Sequence, residues 1–354
     1  MSRFFSEKYR NLVPYTPGEQ PTEMKYVKLN TNESPFPPSP KAQKYASEAA
    51  QRLQLYPDPE CKKLNLAMAE RFGVAPEEVL MTNGSDEILN FAFMAFCDSE
   101  HPAAFPDISY GFYSVFAEIN NVPYREIPLQ EDFTIRVEDY LGTNETLFIA
   151  NPNAPTGLLL STAEIERILQ SNPDRVVVVD EAYIDFGGES CIPLIHKYDN
   201  LLVTQTFSKS RSMAGARLGF GIGCKALIQD LNTVKYSTNP YNINQMTMAA
   251  GIGVLEDEEY TQKNCATICE TRAYTTAELE KMGFTVLPSY TNFVFAKHSA
   301  LSGEEIYRKL KARGILVRHF TKERIAEFNR ITIGTKEQMD CLLCALAELL
   351  EEAK

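Results

Sequence analysis

The sequence of 354 residues has no long hydrophobic run and no excess of positive charge. Its longest apolar stretches, such as Ile88 to Cys97, fall well short of the ~20 residues that a membrane-spanning helix needs, so we expect no span. The first residues become charged again before an apolar core of signal-peptide length develops, which predicts a cytoplasmic protein. The formal net charge of −12 argues against a broad nucleic-acid surface and allows only a local basic pocket for a small anion.

Metal-binding patterns are also scarce. The eight cysteines are scattered, and only Cys341 and Cys344 have the spacing of a zinc-binding CxxC pair. A zinc ribbon needs two such pairs, so we interpret the cysteines as reduced thiols and predict no metal site. No role is evident for the four histidines, which we expect to be structural or exposed: His101, His196, His298 and His319.

Length and composition predict a folded protein with one large and one smaller domain. At roughly 150 residues per domain the chain corresponds to about 2.4 units, and its 44% apolar and 23% charged residues are typical of globular proteins. Seven prolines within the first 40 residues exclude a helix or a central strand there. We therefore expect an extended arm over 1–40, a large domain over 41–255 and a small domain over 256–354.

Short apolar runs in the middle of the chain predict strands of a sheet. Ser161 and Glu164 form a capping box, which predicts a helix between the first two of these strands. Fully apolar strands that alternate with helices are typical of a mostly parallel sheet covered on both faces, so the large domain is predicted to be α/β. The predicted strands are Leu147 to Ala150, Val176 to Val179, Leu201 to Thr204 and Leu218 to Ile222.

The pattern changes after about residue 250 to longer helical stretches with isolated short strands. Antiparallel strands packed with helices are expected there, which makes the small domain α+β. The predicted elements are a helix from Glu258 to Met282, a helix that opens at Ser302, strands at Ile315 to Val317 and Ile331 to Ile333, and a last helix from Thr335.

Four polar segments lie next to the predicted strands of the large domain. Three of them follow a strand, where ligands of open α/β sheets bind: Asn151 to Gly157, Asp180 to Tyr183, and Thr206 to Lys209. The fourth, Thr82 to Glu87, precedes an apolar helical run, so its backbone amides could hold a phosphate. Each segment alone has an ordinary interpretation, because a loop lysine is usually a solvated charge and a Gly-Ser turn usually caps a helix.

The combination is more informative than any single segment. A lysine amine, an acid, a phenol and a phosphate cradle at one edge of a sheet are the groups needed to hold pyridoxal phosphate. The lysine would form the Schiff base, the acid would face the pyridinium nitrogen, and the amides with Arg217 would bind the phosphate.

The chain resembles the fold-type I pyridoxal-phosphate aminotransferases and, within them, the histidinol-phosphate aminotransferases. The resemblance implies a mostly parallel seven-stranded sheet and a homodimer. It also implies that imidazole acetol phosphate and glutamate give histidinol phosphate and 2-oxoglutarate in histidine biosynthesis. It rests on eight motifs in order: Val13 to Gly18, Lys28 to Glu33, Leu55 to Pro59, Asn83 to Glu87, Ser109 to Tyr113, Asp180 to Tyr183, the Lys209 segment, and Asn329 to Gly334.

Individual roles follow from the same resemblance. Lys209 would bind the cofactor and move the substrate proton, Asp180 would keep the ring nitrogen protonated, and Tyr183 would hydrogen-bond the ring oxygen. The implied cofactor-binding residues are Ser85, Asp86, Tyr110, Asn153, Thr206, Ser208, Arg217 and, from the other subunit, Tyr56. The implied substrate-binding residues are Tyr15, Asn32, Arg318 and Arg330, the two arginines binding the substrate phosphate in one half-reaction and the glutamate carboxylates in the other.

One position departs from the pattern of this family. Most fold-type I enzymes have an asparagine immediately before Pro-Thr-Gly to bond the ring oxygen, and here that position is Ala154. We expect that Asn153 takes over through a small shift of the loop, or that Tyr183 makes the contact alone. Loss of one hydrogen bond to a charged group is worth about 1.5 to 3 kcal/mol, which would tune catalysis and not abolish it.

Other functions fit part of the same pattern. A threonine-phosphate decarboxylase or an aromatic amino-acid aminotransferase would share these motifs, and the sequence separates them poorly. A pyridoxal-phosphate-binding regulator would need a helix-turn-helix module, for which the proline-rich arm and the negative charge leave no room. An inactive structural relative is disfavoured because Lys209, Asp180 and Arg217 are all present. The glycines of Gly219 to Gly223 lack the dinucleotide-binding spacing and are interpreted as sheet packing.

Overall fold

A computed structural model describes residues 2–10 and 12–353 of the chain. The N-terminal segment has little regular structure and contains one turn of 3-10 helix, Glu7–Tyr9, and a two-residue strand, β1 (Val27–Lys28). The first α-helix, α1 (Pro40–Ala49), begins at the predicted proline, because the Ser39 hydroxyl accepts a hydrogen bond from the first turn.

Seven strands form one sheet, in which the order is β2-β8-β7-β6-β5-β3-β4: β2 (Val79–Thr82), β3 (Ala103–Pro106), β4 (Tyr124–Ile127), β5 (Thr146–Ala150), β6 (Val177–Asp180), β7 (Leu201–Thr206) and β8 (Gly219–Gly223). The pairs within β3 to β7 are parallel, and β8 is antiparallel to both β2 and β7. The prediction of a mostly parallel seven-stranded sheet is confirmed.

Helices cover both faces of this sheet: α2 (Lys62–Phe72), α3 (Ser85–Phe96), α4 (Phe112–Asn120), α5 (Thr162–Ser171), α6 (Lys225–Thr238) and α7 (Gln245–Leu255). Alternate residues of a strand face opposite sides. Ile149 and Val179 accordingly join a core with α2 and α5, whereas Phe148 and Val178 join one with α3, α4 and α6. Burial on both faces explains why these strands are continuous apolar runs in the sequence.

The rest of the chain contains, in order, α8 (Glu258–Lys281), β9 (Thr285–Val286), β10 (Phe293–Lys297), α9 (Gly303–Ala312), β11 (Ile315–Leu316), β12 (Arg318–His319), β13 (Asn329–Thr332) and α10 (Lys336–Glu352). Four of these strands form a second, antiparallel sheet in the order β12-β13-β10-β9. The three predicted helices are present. The division of the chain into domains at residue 255 stays a prediction.

One predicted strand pairs differently from our expectation. The strand expected at Ile315 to Val317, β11, does not join the antiparallel sheet and instead pairs in parallel with β1. The amides of Val27 and Leu29 donate to the carbonyls of Gly314 and Leu316, which fixes this pairing. The segment after β1 is thereby held against the C-terminal part of the chain. No helix among the described residues is both long and apolar enough to span a bilayer.

Candidate active site

Parallel strands end at the same edge of a sheet, so the polar segments that follow β5, β6 and β7 meet at one place. A cavity opens there, and the first turn of α3 forms one of its walls. All three predicted catalytic residues are among those that line it: Ser85, Asp86, Tyr110, Ala150, Pro152, Ala154, Asp180, Ala182, Tyr183, Thr206, Ser208, Lys209 and Arg217.

Asp180 is the last residue of β6 and is almost fully buried. Its carboxylate accepts hydrogen bonds from the Tyr113 hydroxyl at 3.1 Å and from the Thr204 hydroxyl at 3.4 Å. Burial raises the pKa of Asp180 to about 6, although the hydrogen bond from Tyr113 acts to lower it. A cation beside such a carboxylate stabilises its charged form, so the position suits a protonated ring nitrogen.

Lys209 and Tyr183 lie close to each other in the lining of this cavity. The Lys209 ammonium donates to the carbonyl of Thr31 at 3.3 Å and lies 5.7 Å from the centre of the Tyr183 ring. The Tyr183 hydroxyl accepts a hydrogen bond from the Asn32 amide at 2.9 Å. Asn32 in turn contacts the hydroxyl of Thr332 on β13, so both sheets fix the position of the phenol.

The start of α3 is a candidate anion cradle. The amides of a first helical turn have no partner within the helix, and the helix dipole favours a negative charge there. Arg217 lies beside this turn and donates to the Asp86 carboxylate at 2.8 Å, and the Thr206 and Ser208 hydroxyls are hydrogen-bonded at 2.9 Å. A Cβ atom on Gly219 would lie 2.4 Å from the Ser85 amide nitrogen, which explains the glycine of β8 at this close approach.

The cradle is completed by an aromatic ring. The Tyr110 hydroxyl donates to the Asp86 carboxylate at 2.5 Å. Burial, followed by the charge and hydrogen bond of Asp86, raises the pKa of Tyr110 well above its ordinary value, so the ring stays a neutral phenol. Tyr110 is therefore available as an uncharged stacking surface in the cavity.

The structure does not bring Asn153 into the cavity. Its amide donates to the Ile108 carbonyl and to the Thr156 hydroxyl, each at 2.9 Å, and its oxygen accepts from Ser109 at 2.7 Å. These three bonds hold the side chain inside the loop. Ala154 lines the cavity in its place.

A second, larger cavity adjoins the first and shares Lys209 and Tyr183 with it. Arg330 lies in its wall, and its guanidinium donates to the carbonyl of Asn30 at 3.1 Å. Within the part of the chain that the structure describes, Arg330 forms no salt bridge, and its Nε atom is buried without a partner. Burial lowers the pKa of Arg330, which is the signature of a cation that an incoming anion would stabilise.

Three further predicted residues differ in their placement. Arg318 and Tyr15 line the second cavity, where the Tyr15 ring stacks on Phe112 with ring centres 4.2 Å apart. Tyr56 lines neither cavity: it is 81% exposed and stacks on Tyr241 with ring centres 4.7 Å apart.

Sequence reasoning missed residues that support the predicted ones. Tyr113 and Thr204 hold Asp180, and Thr31 holds Lys209. A usable signal existed for Thr204, since a hydroxyl inside an apolar strand is unusual and its register partner on β6 is Asp180. Thr31 carried no such signal, because its contact uses the backbone carbonyl.

This fold and site define a class. A mostly parallel sheet with a lysine, a buried acid and an anion cradle at its carboxyl edge is the architecture of a fold-type I aminotransferase. The model of the family described as aminotransferase class I and II matches residues 24–346, and the chain belongs to this family.

The chain is also similar to named aminotransferases in sequence and in structure. The chain is 48% identical over 351 residues to histidinol-phosphate aminotransferase of Clostridium beijerinckii, covering 99% of this chain and 98% of the relative. The solved structure of histidinol-phosphate aminotransferase from Clostridium acetobutylicum is similar with a TM-score of 0.84 and 25% identity, over 92% of this chain and 99% of that one. The enzyme from Sinorhizobium meliloti in complex with pyridoxal-5'-phosphate has the same fold, with a TM-score of 0.86 and 24% identity over 93% and 92% of the two chains.

Proposed function

We propose that this chain is a pyridoxal-phosphate-dependent transaminase that converts imidazole acetol phosphate and glutamate to histidinol phosphate and 2-oxoglutarate in histidine biosynthesis. The observation that carries the proposal is the guanidinium of Arg330, which is half-buried with its Nε atom shielded from water, has no carboxylate partner among the described residues and lies in the wall of a cavity that Lys209 shares. The relative that is 48% identical over nearly its whole length bears the name of this activity, which supports the same assignment.

The donor set of the first cavity fits the proposed cofactor. Pyridoxal phosphate supplies an aldehyde that condenses with amines and a ring that accepts the electrons of a broken bond. Asp180 would hold the proton on the ring nitrogen, and Tyr183 would donate to the ring oxygen while Asn32 keeps it in place. The first turn of α3, with the Thr206 and Ser208 hydroxyls and Arg217, would bind the phosphate.

The remaining residues would act on the substrate. As the neutral amine, Lys209 would take the proton from the substrate carbon and deliver it to the cofactor. Among the described residues its amine is hydrogen-bonded to the neutral Thr31 carbonyl, a weak contact that leaves it able to move. Arg330 and Arg318 would bind the phosphate of one substrate and the carboxylates of the other, since a guanidinium fork fits both anions. The side chain of Asn153 is left out of this proposal because its three bonds keep it within the loop.

Steady-state kinetics test this function. We expect a far higher kcat/KM for histidinol phosphate with 2-oxoglutarate than for phenylalanine, and no release of carbon dioxide from threonine phosphate. The variant Arg330→Lys keeps the charge and loses the fork, so it should raise KM for both histidinol phosphate and glutamate. Preference for phenylalanine or decarboxylation of threonine phosphate would assign the fold to one of those reactions instead.

The proposal includes a homodimer in the cytoplasm. An exposed apolar loop supports the dimer, because Leu53, Leu55 and Tyr56 are 56%, 60% and 81% exposed and suit burial against a second copy. Tyr56 would reach the partner's cofactor phosphate. Mixing inactive Tyr56→Ala and Lys209→Ala proteins should recover activity, since one site of the hybrid has both residues. A monomer by light scattering, or no recovery on mixing, would contradict the shared site.

A further inference from the structure

Four consecutive residues of the N-terminal segment, Tyr15 to Gly18, line the cavity that contains Arg318 and Arg330. At one end of this stretch, the Tyr15 ring stacks on Phe112 of α4. At the other end, the next residue, Glu19, reaches α9. Residues 15–19, which we call the strap, are therefore attached on both sides of the cavity.

Glu19 attaches its end of the strap through three hydrogen bonds. Its carboxylate accepts hydrogen bonds from the Tyr307 hydroxyl and the Lys311 ammonium, and its carbonyl accepts one from the Asn30 amide at 2.9 Å. The Glu19 and Lys311 side chains are 31% and 33% exposed, so the ion pair is partly shielded from water. Desolvation acts to raise the pKa of Glu19, but the hydrogen bonds from Lys311 and Tyr307 outweigh it and the pKa is lowered.

Arg318 makes a weaker attachment at the middle of the strap. Its guanidinium donates to the carbonyls of Thr16 and Pro17 at 3.2 and 3.4 Å, the first at the upper limit of the usual range for such bonds and the second beyond it. An anion in the cavity would offer Arg318 shorter, charge-assisted hydrogen bonds. These two bonds are thus the ones that substrate would replace, whereas the hydrogen bonds of Glu19 use other donors.

We infer that Glu19 is a positioning residue that anchors the strap along the substrate cavity. The strap then stays in place when Arg318 exchanges its hydrogen bonds to the strap for hydrogen bonds to an anion. The inference rests on the proposed function for the identity of that anion. Glu19 does not line the cavity. Its removal should therefore weaken retention of the substrate and spare the chemical step.

Two measurements on the full-length protein test the anchor. Chymotryptic cleavage after Tyr15 in the strap is followed with and without inorganic phosphate, because the Tyr15 ring must leave Phe112 before a protease can bind it, and KM and kcat are measured for histidinol phosphate. The variant Glu19→Gln should speed this cleavage and raise KM by about three- to ten-fold, the effect of losing a partly buried ion pair, with kcat changed by less than about two-fold. The matched control is Glu23→Gln, four residues further along and exposed, which should change neither quantity.

A double-mutant cycle shows whether the ion pair itself is responsible. Lys311→Gln should reproduce the effect of Glu19→Gln, and the double variant should be no worse than either single one. Unchanged cleavage after Tyr15 in Glu19→Gln would overturn the anchor, and faster cleavage with an unchanged KM would overturn its role in holding substrate. If the wild-type protein does not act on histidinol phosphate, the proposed function fails, and cleavage in the presence of phosphate still decides the anchor: it must be slower in the wild type than in Glu19→Gln.

Discussion

The buried acid of the first cavity leads to a prediction about stability as well as activity. Replacing Asp180 by asparagine removes a carboxyl group whose pKa is raised from its ordinary 3.8 to about 6. At 1.36 kcal/mol per pKa unit, that rise corresponds to about 3 kcal/mol by which the ionised carboxylate destabilises the cofactor-free protein above pH 6. The asparagine side chain would keep the bond from Tyr113, so Asp180→Asn should stabilise this form by up to that amount.

The direction of the pH dependence is fixed by the sign of the pKa change. A carboxyl group with a raised pKa in the folded state weakens folding as pH rises, because folding then has to accommodate the charge. The increase in unfolding free energy caused by Asp180→Asn should therefore reach its full size above pH 6 and fall towards zero between about pH 6 and pH 4. Denaturant unfolding of the cofactor-free protein at pH 5 and pH 8 measures it.

The control for this experiment is Asp230→Asn, which alters an exposed carboxylate on α6. It should leave the unfolding free energy nearly unchanged at both pH values. Pyridoxal phosphate should stabilise the wild type far more than Asp180→Asn, since only the wild type has a carboxylate for the ring nitrogen. If cofactor-free Asp180→Asn is no more stable than the cofactor-free wild type at pH 8, the argument that burial destabilises the ionised carboxylate is refuted.

Three other substitutions give separate tests. Lys209→Ala should abolish the visible absorption band of the lysine-bound cofactor, and an unchanged spectrum would contradict the Schiff-base assignment. Arg318→Ala should raise KM for both histidinol phosphate and glutamate, because the same guanidinium is proposed to bind the phosphate of one and a carboxylate of the other, and an unchanged KM for either substrate would refute that role. Ala154→Asn should lower the pH at which the visible band titrates, because a hydrogen bond to a charged ring oxygen is worth about 1.5 to 3 kcal/mol. No change in that midpoint would mean that the new amide does not reach the ring.

The part of the site that lies on the sheet was predictable from the sequence. Asp180 and Lys209 each follow an apolar strand, and parallel strands end at one edge, so their proximity follows from a local pattern. The Gly219 to Gly223 run was likewise predictable as a strand, because its spacing excluded a dinucleotide loop. These features depend on neighbours in the sequence and on one rule of sheet geometry.

Features that depend on distant pairings were not predictable. The pairing of Val27 with Ile315 joins opposite ends of the chain, and no apolar pattern in a two-residue strand specifies its partner. The direction of the Asn153 side chain was equally hidden, since it is set by Ser109 and the Ile108 carbonyl, which lie 44 and 45 residues earlier. The support of Lys209 by Thr31 comes from a backbone carbonyl, which has no sequence signature.

The most direct test of the central claim is a half-reaction. The purified, cofactor-loaded protein is mixed with histidinol phosphate alone, and the visible absorbance is followed, with threonine phosphate and phenylalanine as parallel samples. We predict rapid bleaching with histidinol phosphate only, because Arg318 and Arg330 line the cavity that Lys209 shares and would bind its phosphate there. An unchanged spectrum with histidinol phosphate, together with bleaching by phenylalanine or carbon dioxide from threonine phosphate, would contradict the proposed substrate and leave the fold assignment intact.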